Sequence, residues 1–302
     1  MANTIESRKN VMIAGLILPP LAVITLFMIA PVGIMFVYSF LEPDTYGGVV
    51  WSFSPEAYIQ FLFERDIFDE TLSFSSDYLS IFGRSILQAF IATALCLIIG
   101  IPTAYYIATR PGNQKSMWLF IITIPYWVNL LVRTIALLFV LRSDGPVNET
   151  LMFLHIISEP LKLSYNEFAI GTGLVYSFLP FMILPLYAAF ERFDFNLLEA
   201  AYDLYASRTQ AFFKILLPIM RPGLIAGSLL VFIPSVGSFL APDILGGGKK
   251  MMIGNLIAMQ FQGSRNWPFG AAVSMILLSL TLVTLVYFAV RASKKTESKE
   301  AA

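Results

Sequence analysis

Long uncharged runs alternate with short polar segments along the chain. Val11–Leu41, Ser85–Thr109, Phe168–Phe190, Pro222–Pro242 and Asn266–Val290 carry no charged residue, and Ser116–Leu141 carries only Arg133. A helix needs ~20 predominantly apolar residues to cross the hydrocarbon core of a bilayer. The pattern therefore predicts an all-α membrane protein of six transmembrane helices, over about 11–41, 85–109, 116–141, 168–190, 222–242 and 266–290, in one membrane domain covering residues 1–302. Arg8 and Lys9 precede the first run, as in a signal peptide. The run is too long for one and no small-residue cleavage site follows a short apolar stretch, so it is expected to be a retained span. Prolines sit in or at the ends of most runs, at 19, 20, 31, 102, 125, 180, 185 and 234. Such prolines are ordinary kinks where neighbouring helices re-satisfy the freed carbonyls, and in some positions hinges. Small residues (Gly171 and Gly173, Gly223, Gly227 and Gly237, Gly270 to Ala272) let helices approach closely and predict a packed bundle.

Composition agrees with a lipid solvent. The 302 residues are 57% hydrophobic and 13% charged, with a mean hydropathy of +0.72. A soluble domain is about half apolar and a quarter charged. Zero net charge argues against nucleic acid as a partner. One cysteine, Cys96, makes no internal disulfide, and with one histidine, His155, no metal site built on His or Cys is expected.

Charge sets the expected orientation. Six spans place both termini on one side. That side holds Arg8, Lys9, Arg110, Lys115, Arg192, Arg208, Lys214, Arg221, Arg291, Lys294, Lys295 and Lys299; the other holds Arg65, Arg84, Arg142, Lys162, Lys249, Lys250 and Arg265. The excess of cations on the first side places both termini, and the segment 191–221, in the cytoplasm. The external segment 42–84 is acidic through Glu42, Asp44, Glu56, Glu64, Asp66, Asp69, Glu70 and Asp77, and the loop 142–167 adds Asp144, Glu149, Glu159 and Glu167. An acidic outer face attracts cations, although external loops are poor in Lys and Arg on topological grounds alone. Trp51, Phe53, Tyr58, Phe61, Phe63, Phe68 and Phe74 predict that 42–84 is folded and docked, not a linker.

The segment 191–221 reads as two short helices. Leu197, Leu198, Ala201, Leu204 and Tyr205 recur at helical spacing, with Glu199 and Asp203 on another face. A second helix over Arg208–Leu217 carries Phe212, Phe213, Ile215 and Leu216, and Pro218 and Pro222 are expected to end it. The turn lies near Tyr205–Ser207, with Ser207 as N-cap of the second helix.

Glu199-Ala200-Ala201, a turn with Ala206-Ser207, then Phe212, Ile215 and Leu217-Pro218 resemble the EAA loop of ABC importer permeases. Pro125-Tyr126-Trp127-Val128-Asn129, Leu179-Pro180-Phe181-Met182, Pro242-Asp243-Ile244-Leu245-Gly246-Gly247, Ile253-Gly254-Asn255 and Asn266-Trp267-Pro268-Phe269-Gly270-Ala271-Ala272 resemble permeases for spermidine and putrescine, specifically the first of the two permeases in such systems. The likeness runs from about Ser85 onwards. It implies a type I ABC importer permease in a bacterial inner membrane, working by alternating access. It also implies a second homologous permease, two cytoplasmic ATPase subunits and a periplasmic solute-binding protein as partners. Glu199, Ala200, Ala201, Asp203, Tyr205, Ala206 and Ser207 would form the ATPase-coupling site. The chain would bind no cofactor itself, ATP and magnesium belonging to the ATPase subunits. The resembled pattern has Gly after Leu204, where this chain has Tyr205. Gly accepts positive φ freely and Tyr only with strain. Either the turn adopts ordinary right-handed geometry or the docking helix sits at a changed angle.

Polar groups at membrane depth are candidates for the pathway or its gate: Trp127, Asn129, Arg133, Asp243 and Trp267. On one continuous helix, Asn129 and Arg133 (i, i+4) share a face with Pro125. Arg133 is either a gate or a structural cation, and a cation on the path repels a polyamine. Asp243 is its candidate partner in one conformational state, or meets a cationic solute together with the ring of Trp127 or Trp267. Both tryptophans also fit an interfacial belt. Gly246-Gly247-Gly248 lacks the spacing and the Lys-Ser/Thr pair of a phosphate loop. No nucleophile–base constellation and no Walker sequence stands in the chain, so a non-catalytic subunit is expected. Three alternatives to a polyamine permease are carried. An ion-gradient-driven secondary transporter would show internal repeats and intramembrane carboxylates, which are not evident. An ABC permease for another small solute shares every motif above. A non-transporting scaffold leaves the docking loop unexplained.

Overall fold

The computed structural model describes residues 2–65 and 72–300, with side chains from 15 to 64, from 72 to 288 and at 290. Asp66, Phe68, Asp69 and Glu70 of the external segment lie outside the described residues, as do the side chains of Arg8, Lys9, Arg65, Arg291, Lys294, Lys295 and Lys299. The chain divides into two units. One is Met1–Ser75 with Met259–Leu278, and the other is Ser76–Ala258 with Ser279–Ala302.

In the first unit, α1 (Ala2–Tyr38) continues through Pro19, Pro20 and Pro31. From Gly15 to Tyr38 it is apolar on every side and no residue of its most apolar stretch is buried by the chain. The helix ends before Leu41. Two short hairpins follow, which the all-α expectation did not contain. β1 (Leu41–Pro43) pairs antiparallel with β2 (Val49–Phe53), and β3 (Phe63–Arg65) pairs with β4 (Leu72–Phe74), with α2 (Glu56–Gln60) between them. The reason is local. Val49-Val50-Trp51-Ser52-Phe53 is rich in β-branched and aromatic residues. The turn before it uses Gly47 and Gly48 at φ of 100° and 103°. The aromatic residues of this segment do pack. Phe40 lies 5.8 Å from Phe53 and 5.1 Å from Tyr58, and the Tyr58 hydroxyl donates to Ser39 Oγ at 2.9 Å. Asn266 Nδ2 approaches Gln60 Oε1 at 3.4 Å, and the Trp267 ring stacks at 6.5 Å on Tyr38.

The second unit is helical. It runs α3 (Asp77–Ala108), α4 (Gly112–Trp127), α5 (Leu130–Leu141), α6 (Pro146–Phe153), α7 (Glu167–Glu191), α8 (Asn196–Asp203), α9 (Arg208–Ala211), a π-helical turn (Phe212–Leu216), α10 (Leu217–Ile219), α11 (Arg221–Val236) and α12 (Leu240–Leu245); α13 (Ile253–Gln262) and α14 (Trp267–Glu300) complete the chain. Helices α3, α7 and α11 pack on one another. Their contact surface holds the fully buried Cys96, Ala104, Met182, Leu186 and Val231. Glycine sets the spacing. A Cβ on Gly100 would stand 2.9 Å from Met182 Cγ; one on Gly223 would stand 2.6 Å from Ala189 Cβ and 3.1 Å from the Pro185 carbonyl; one on Gly227 would stand 3.2 Å from the Met182 carbonyl. Gly223 and Gly227 are one turn apart, the small-xxx-small arrangement that lets helices meet backbone to backbone.

Two of the six expected spans are broken. The run 116–141 is two helices, with α4 ending at Trp127 and the pair bent by 93°. Val128 is extended and Asn129 caps α5 by accepting the Leu131 N–H at 2.8 Å. Asn129 is therefore a helix cap, not a member of a continuous face with Pro125. The run 222–242 likewise ends as a helix at Val236. Gly254 packs so closely on the break that an added Cβ would lie 2.5 Å from the Gly237 carbonyl and 2.7 Å from that of Ser238. Asn255 Nδ2 donates at 2.9 Å to the Phe239 carbonyl, which also accepts the Asp243 N–H that opens α12. Among the described residues, four helical stretches are long and apolar enough to cross a membrane: Gly15–Tyr38, Asp77–Ala108, Glu167–Glu191 and Trp267–Phe288. Two bent pairs, Gly112–Trp127 with Leu130–Phe153 and Arg208–Ile219 with Arg221–Val236, bring the number up to six when each pair counts as one span.

The glycine contacts give a test. Gly223→Leu must push α11 off α7, and overpacking of this kind costs about 1–3 kcal/mol or more. Gly83, on α3, has open space around it. Gly83→Ala should leave the thermal midpoint of the purified protein in detergent unchanged or slightly raised, and Gly223→Leu should lower it by several degrees. Equal midpoints would refute the spacing role.

Candidate functional site: the segment between the fourth and fifth apolar runs

The segment begins where α7 ends. Phe193 is buried, and Asp194 Oδ1 accepts the Asn196 N–H at 3.0 Å, starting α8. Three positions apart, Leu198 and Ala201 turn inward and are buried in the same apolar cluster as Met182, Leu186 and Phe190 of α7. Glu199, Ala200 and Asp203 are exposed. The short helix thus has an apolar face fixed to the bundle and an acidic face turned outward.

The end of α8 answers the question raised by Tyr205. The Ala206 N–H donates to the Ala201 carbonyl at 3.0 Å and the Tyr205 N–H to the Tyr202 carbonyl at 3.0 Å. This is the Schellman arrangement, with a left-handed residue just past the helix end. That residue is Tyr205, at φ 59°. The right-handed alternative does not occur: the backbone keeps the geometry glycine would favour. Tyr205 is 97% exposed, so no packing of its side chain offsets the left-handed cost. Two residues on, Ser207 Oγ accepts the Gln210 N–H at 3.2 Å and Gln210 Oε1 accepts the Ser207 N–H at 3.0 Å. This is a full capping box. Ser207 was legible as a cap; Gln210, three residues later, was the missed half of the signal.

The second helix differs from expectation in its interior and its end. Phe212–Leu216 forms a π-helical turn, and Pro218 lies inside α10 instead of ending the helical run. Pro218 has no N–H to continue the α ladder. The run bends by 70° after Ile219 and continues as α11, with Pro222 in its first turn. Ala211, Leu216 and Met220 join the cluster that holds Leu198 and Ala201. Both helices of the segment are anchored in one core with α3 and α7.

The candidate pathway residues are more dispersed. Trp127, Asn129 and Arg133 gather at the α4–α5 break. Trp127 is 76% exposed and meets Phe120 edge-on at 5.7 Å. Arg133 is buried with 7% of its surface exposed, and its guanidinium lies 5.1 Å from the centre of the Tyr126 ring. Its Nε and Nη1 have no hydrogen-bond partner. Tyr126, within the motif that carried the resemblance, is thus the residue that receives the cation. Asp243 is exposed on α12, which packs on α5, but no ion pair joins it to Arg133 in this conformation. Trp267 belongs to the other unit, stacked on Tyr38.

The turn can be tested apart from any transport assay. A left-handed backbone costs an L-residue about 1–2 kcal/mol, more with a β-branched side chain. Tyr205→Gly should therefore keep or raise the thermal midpoint of the purified protein, and Tyr205→Val should lower it. Because the side chain touches nothing, equal midpoints for the Gly and Val variants would sink the strain argument.

Comparison with known proteins places this architecture. The sequence pattern of the family described as "Binding-protein-dependent transport system inner membrane component" matches residues 97–296. The chain is 42% identical over 223 residues to the spermidine/putrescine transport system permease protein PotB of Escherichia coli (strain K12), covering 74% of this chain and 80% of that one. In structure it is similar to a chain of a bacterial ABC transporter involved in the import of the acidic polysaccharide alginate, with a TM-score of 0.65, 15% identity and coverage of 96% and 97% of the two chains. It is also similar to a chain of a bacterial alginate ABC transporter in complex with an alginate pentasaccharide-bound periplasmic protein, with a TM-score of 0.61, 17% identity and coverage of 93% and 94%. The two solved structures share the fold. The chain belongs to the family of inner membrane components of binding-protein-dependent transport systems.

Proposed function

We propose that the chain is the first permease subunit of an ATP-driven importer of polyamines, with 191–221 as the segment that receives force from a cytoplasmic ATPase. The observation that carries this reading is the construction of α8, with Leu198 and Ala201 fixed in the bundle core and Glu199, Ala200 and Asp203 left outward. A helix held this way transmits a push on its acidic face into α3, α7 and α11. Spermidine or putrescine as solute is supported by the 42% identity to a permease named for them. The acidic residues Glu42, Asp44, Glu56 and Glu64 of the external segment suit a cationic solute.

On this reading α4 with α5 forms one span and α11 another, giving six with 191–221 left in the cytoplasm, and the distribution of cations favours both termini on that same side. A second permease, two ATPase subunits holding ATP and magnesium, and a periplasmic solute-binding protein complete the transporter; the chain itself hydrolyses nothing. Ala206 and Ser207 set the turn of the coupling site, and Trp127, Asn129, Arg133, Asp243 and Trp267 serve the pathway or its gate. An importer for another small solute is the second reading, since affinity is set in the binding protein.

Reconstitution with the partner subunits tests both parts. ATPase activity should rise when the binding protein is loaded with spermidine or putrescine; the absence of stimulation by any polyamine would remove the substrate assignment. Glu199→Lys reverses the charge on the exposed face without touching the core. It should cut polyamine uptake at least tenfold while the spans stay folded and the basal ATPase rate persists. Undiminished uptake would show that α8 is not the docking element.

A further inference from the structure

Beside the coupling segment, a groove of about 470 Å³ opens between α3 and 191–221. From α3 it is lined by Ile98, Ile101, Pro102 and Tyr105, positions on one helical face that extend about 10 Å along the axis. Leu198, Phe212 and Leu216 form apolar parts of the opposite wall. The wall is open to the membrane side: Ile98, in the middle of an apolar span, is 67% exposed. Arg208 and Tyr202 of the 191–221 segment, with the Tyr105 hydroxyl of α3, are its polar groups, and Arg208 is its one charged residue. Arg208 forms no ion pair among the described residues, and Tyr202 is 44% exposed with no hydrogen bond from its hydroxyl.

We propose that this groove binds an anionic phospholipid of the cytoplasmic leaflet, one acyl chain lying along Ile98, Ile101 and Tyr105 and the phosphate on Arg208. The α3 wall of the groove runs along the span, as acyl chains do, and its cation belongs to the segment proposed to lie on the cytoplasmic side, where headgroups lie. Charge complementarity selects the lipid. The cytoplasmic leaflet is anionic, and basic pockets between spans on that side recognise lipid headgroups. A charge-assisted contact from guanidinium to phosphate supplies the specificity. The occupant touches α3 and the coupling segment at once, so it would bias how 191–221 moves against the bundle. The inference rests on the cytoplasmic placement of that segment proposed above.

Native mass spectrometry of the assembled transporter in detergent tests it, after incubation with phosphatidylglycerol or with zwitterionic phosphatidylcholine. Phosphatidylglycerol should be retained preferentially. Arg208→Gln should reduce that retention about tenfold. Ile101→Trp, which fills the groove, should also reduce it, and Lys214→Gln, which removes a neighbouring exposed cation outside the groove, should not. Equal retention of the two lipids, or equal loss with Lys214→Gln and Arg208→Gln, would overturn the proposal. So would a crosslink from a cysteine at position 98 to another protein subunit, which would mean that protein fills the groove. The topology is read separately, by labelling a cysteine at position 205 from each side of inverted and right-side-out vesicles. Labelling from outside would retire the cytoplasmic reading; labelling from inside with no preferential lipid would retire the lipid alone.

Discussion

The contact of α11 with α7 governs the rest of the helical unit. Gly223 and Gly227 let the two backbones approach to a distance no side chain allows. The segment 191–221 runs straight into that contact, because α10 turns directly into α11 and Met220, at the bend, is buried in the same cluster. In lipid no hydrophobic force drives helices together, so close packing has to supply the attraction. The segment 191–221 adds Leu198, Ala201, Ala211 and Leu216 to that packing. It is an extension of the bundle core, not a loop resting on it, and interiors packed this densely pass displacement on instead of absorbing it.

The turn at Tyr205 shows how such a segment tolerates a poor local choice. Two hydrogen bonds close the end of α8 and two more open α9, all within Ala201–Gln210. Each contributes about 0.5–1.5 kcal/mol net. Together they exceed the cost of one left-handed non-glycine residue. The backbone geometry is therefore set by the cap pair around the turn, and the side chain at 205 is left free in solvent. That is why the turn keeps the left-handed geometry that glycine would favour with a tyrosine at 205.

The apolar runs were legible because lipid imposes one requirement on all of them, about 20 residues without charge. The breaks were not, because proline alone does not mark them: Pro125 and Pro234 stand two residues before the ends of α4 and α11, but other prolines break nothing. Pro19, Pro20, Pro31, Pro102, Pro180 and Pro185 all remain inside continuous helices. The run 116–141 breaks instead at Val128-Asn129, where an asparagine side chain caps the next helix, and 222–242 breaks where Gly254 and Asn255 come in from elsewhere in the chain. Whether a proline kinks or ends a helix is decided by what re-satisfies the freed carbonyls, and those partners are distant in sequence. The hairpins of 41–74 were missed for the opposite reason. Their strands are three to five residues long, too short for a periodic signal, and only the aromatic density showed that the segment folds.

The two parts of the candidate site differ in the same way. The segment 191–221 is contiguous, so amphipathic spacing, a cap and a turn fall within one window of sequence. The candidate pathway residues are contributed by the α4–α5 break, by α12 and by the first turn of α14, and no local pattern relates them. Arg133 illustrates the consequence. Its place in an apolar run marked it as unusual, but its neighbour is Tyr126, and two of its nitrogens lack an acceptor. Leaving a buried donor unsatisfied costs about 1–3 kcal/mol, more for a charged group, and a cation over a ring recovers about 0.5–2. The residue balance favours any arrangement of the bundle that brings an acceptor to α5. What α5 packs against therefore matters to Arg133 more than it would to a cation fully satisfied within its own helix.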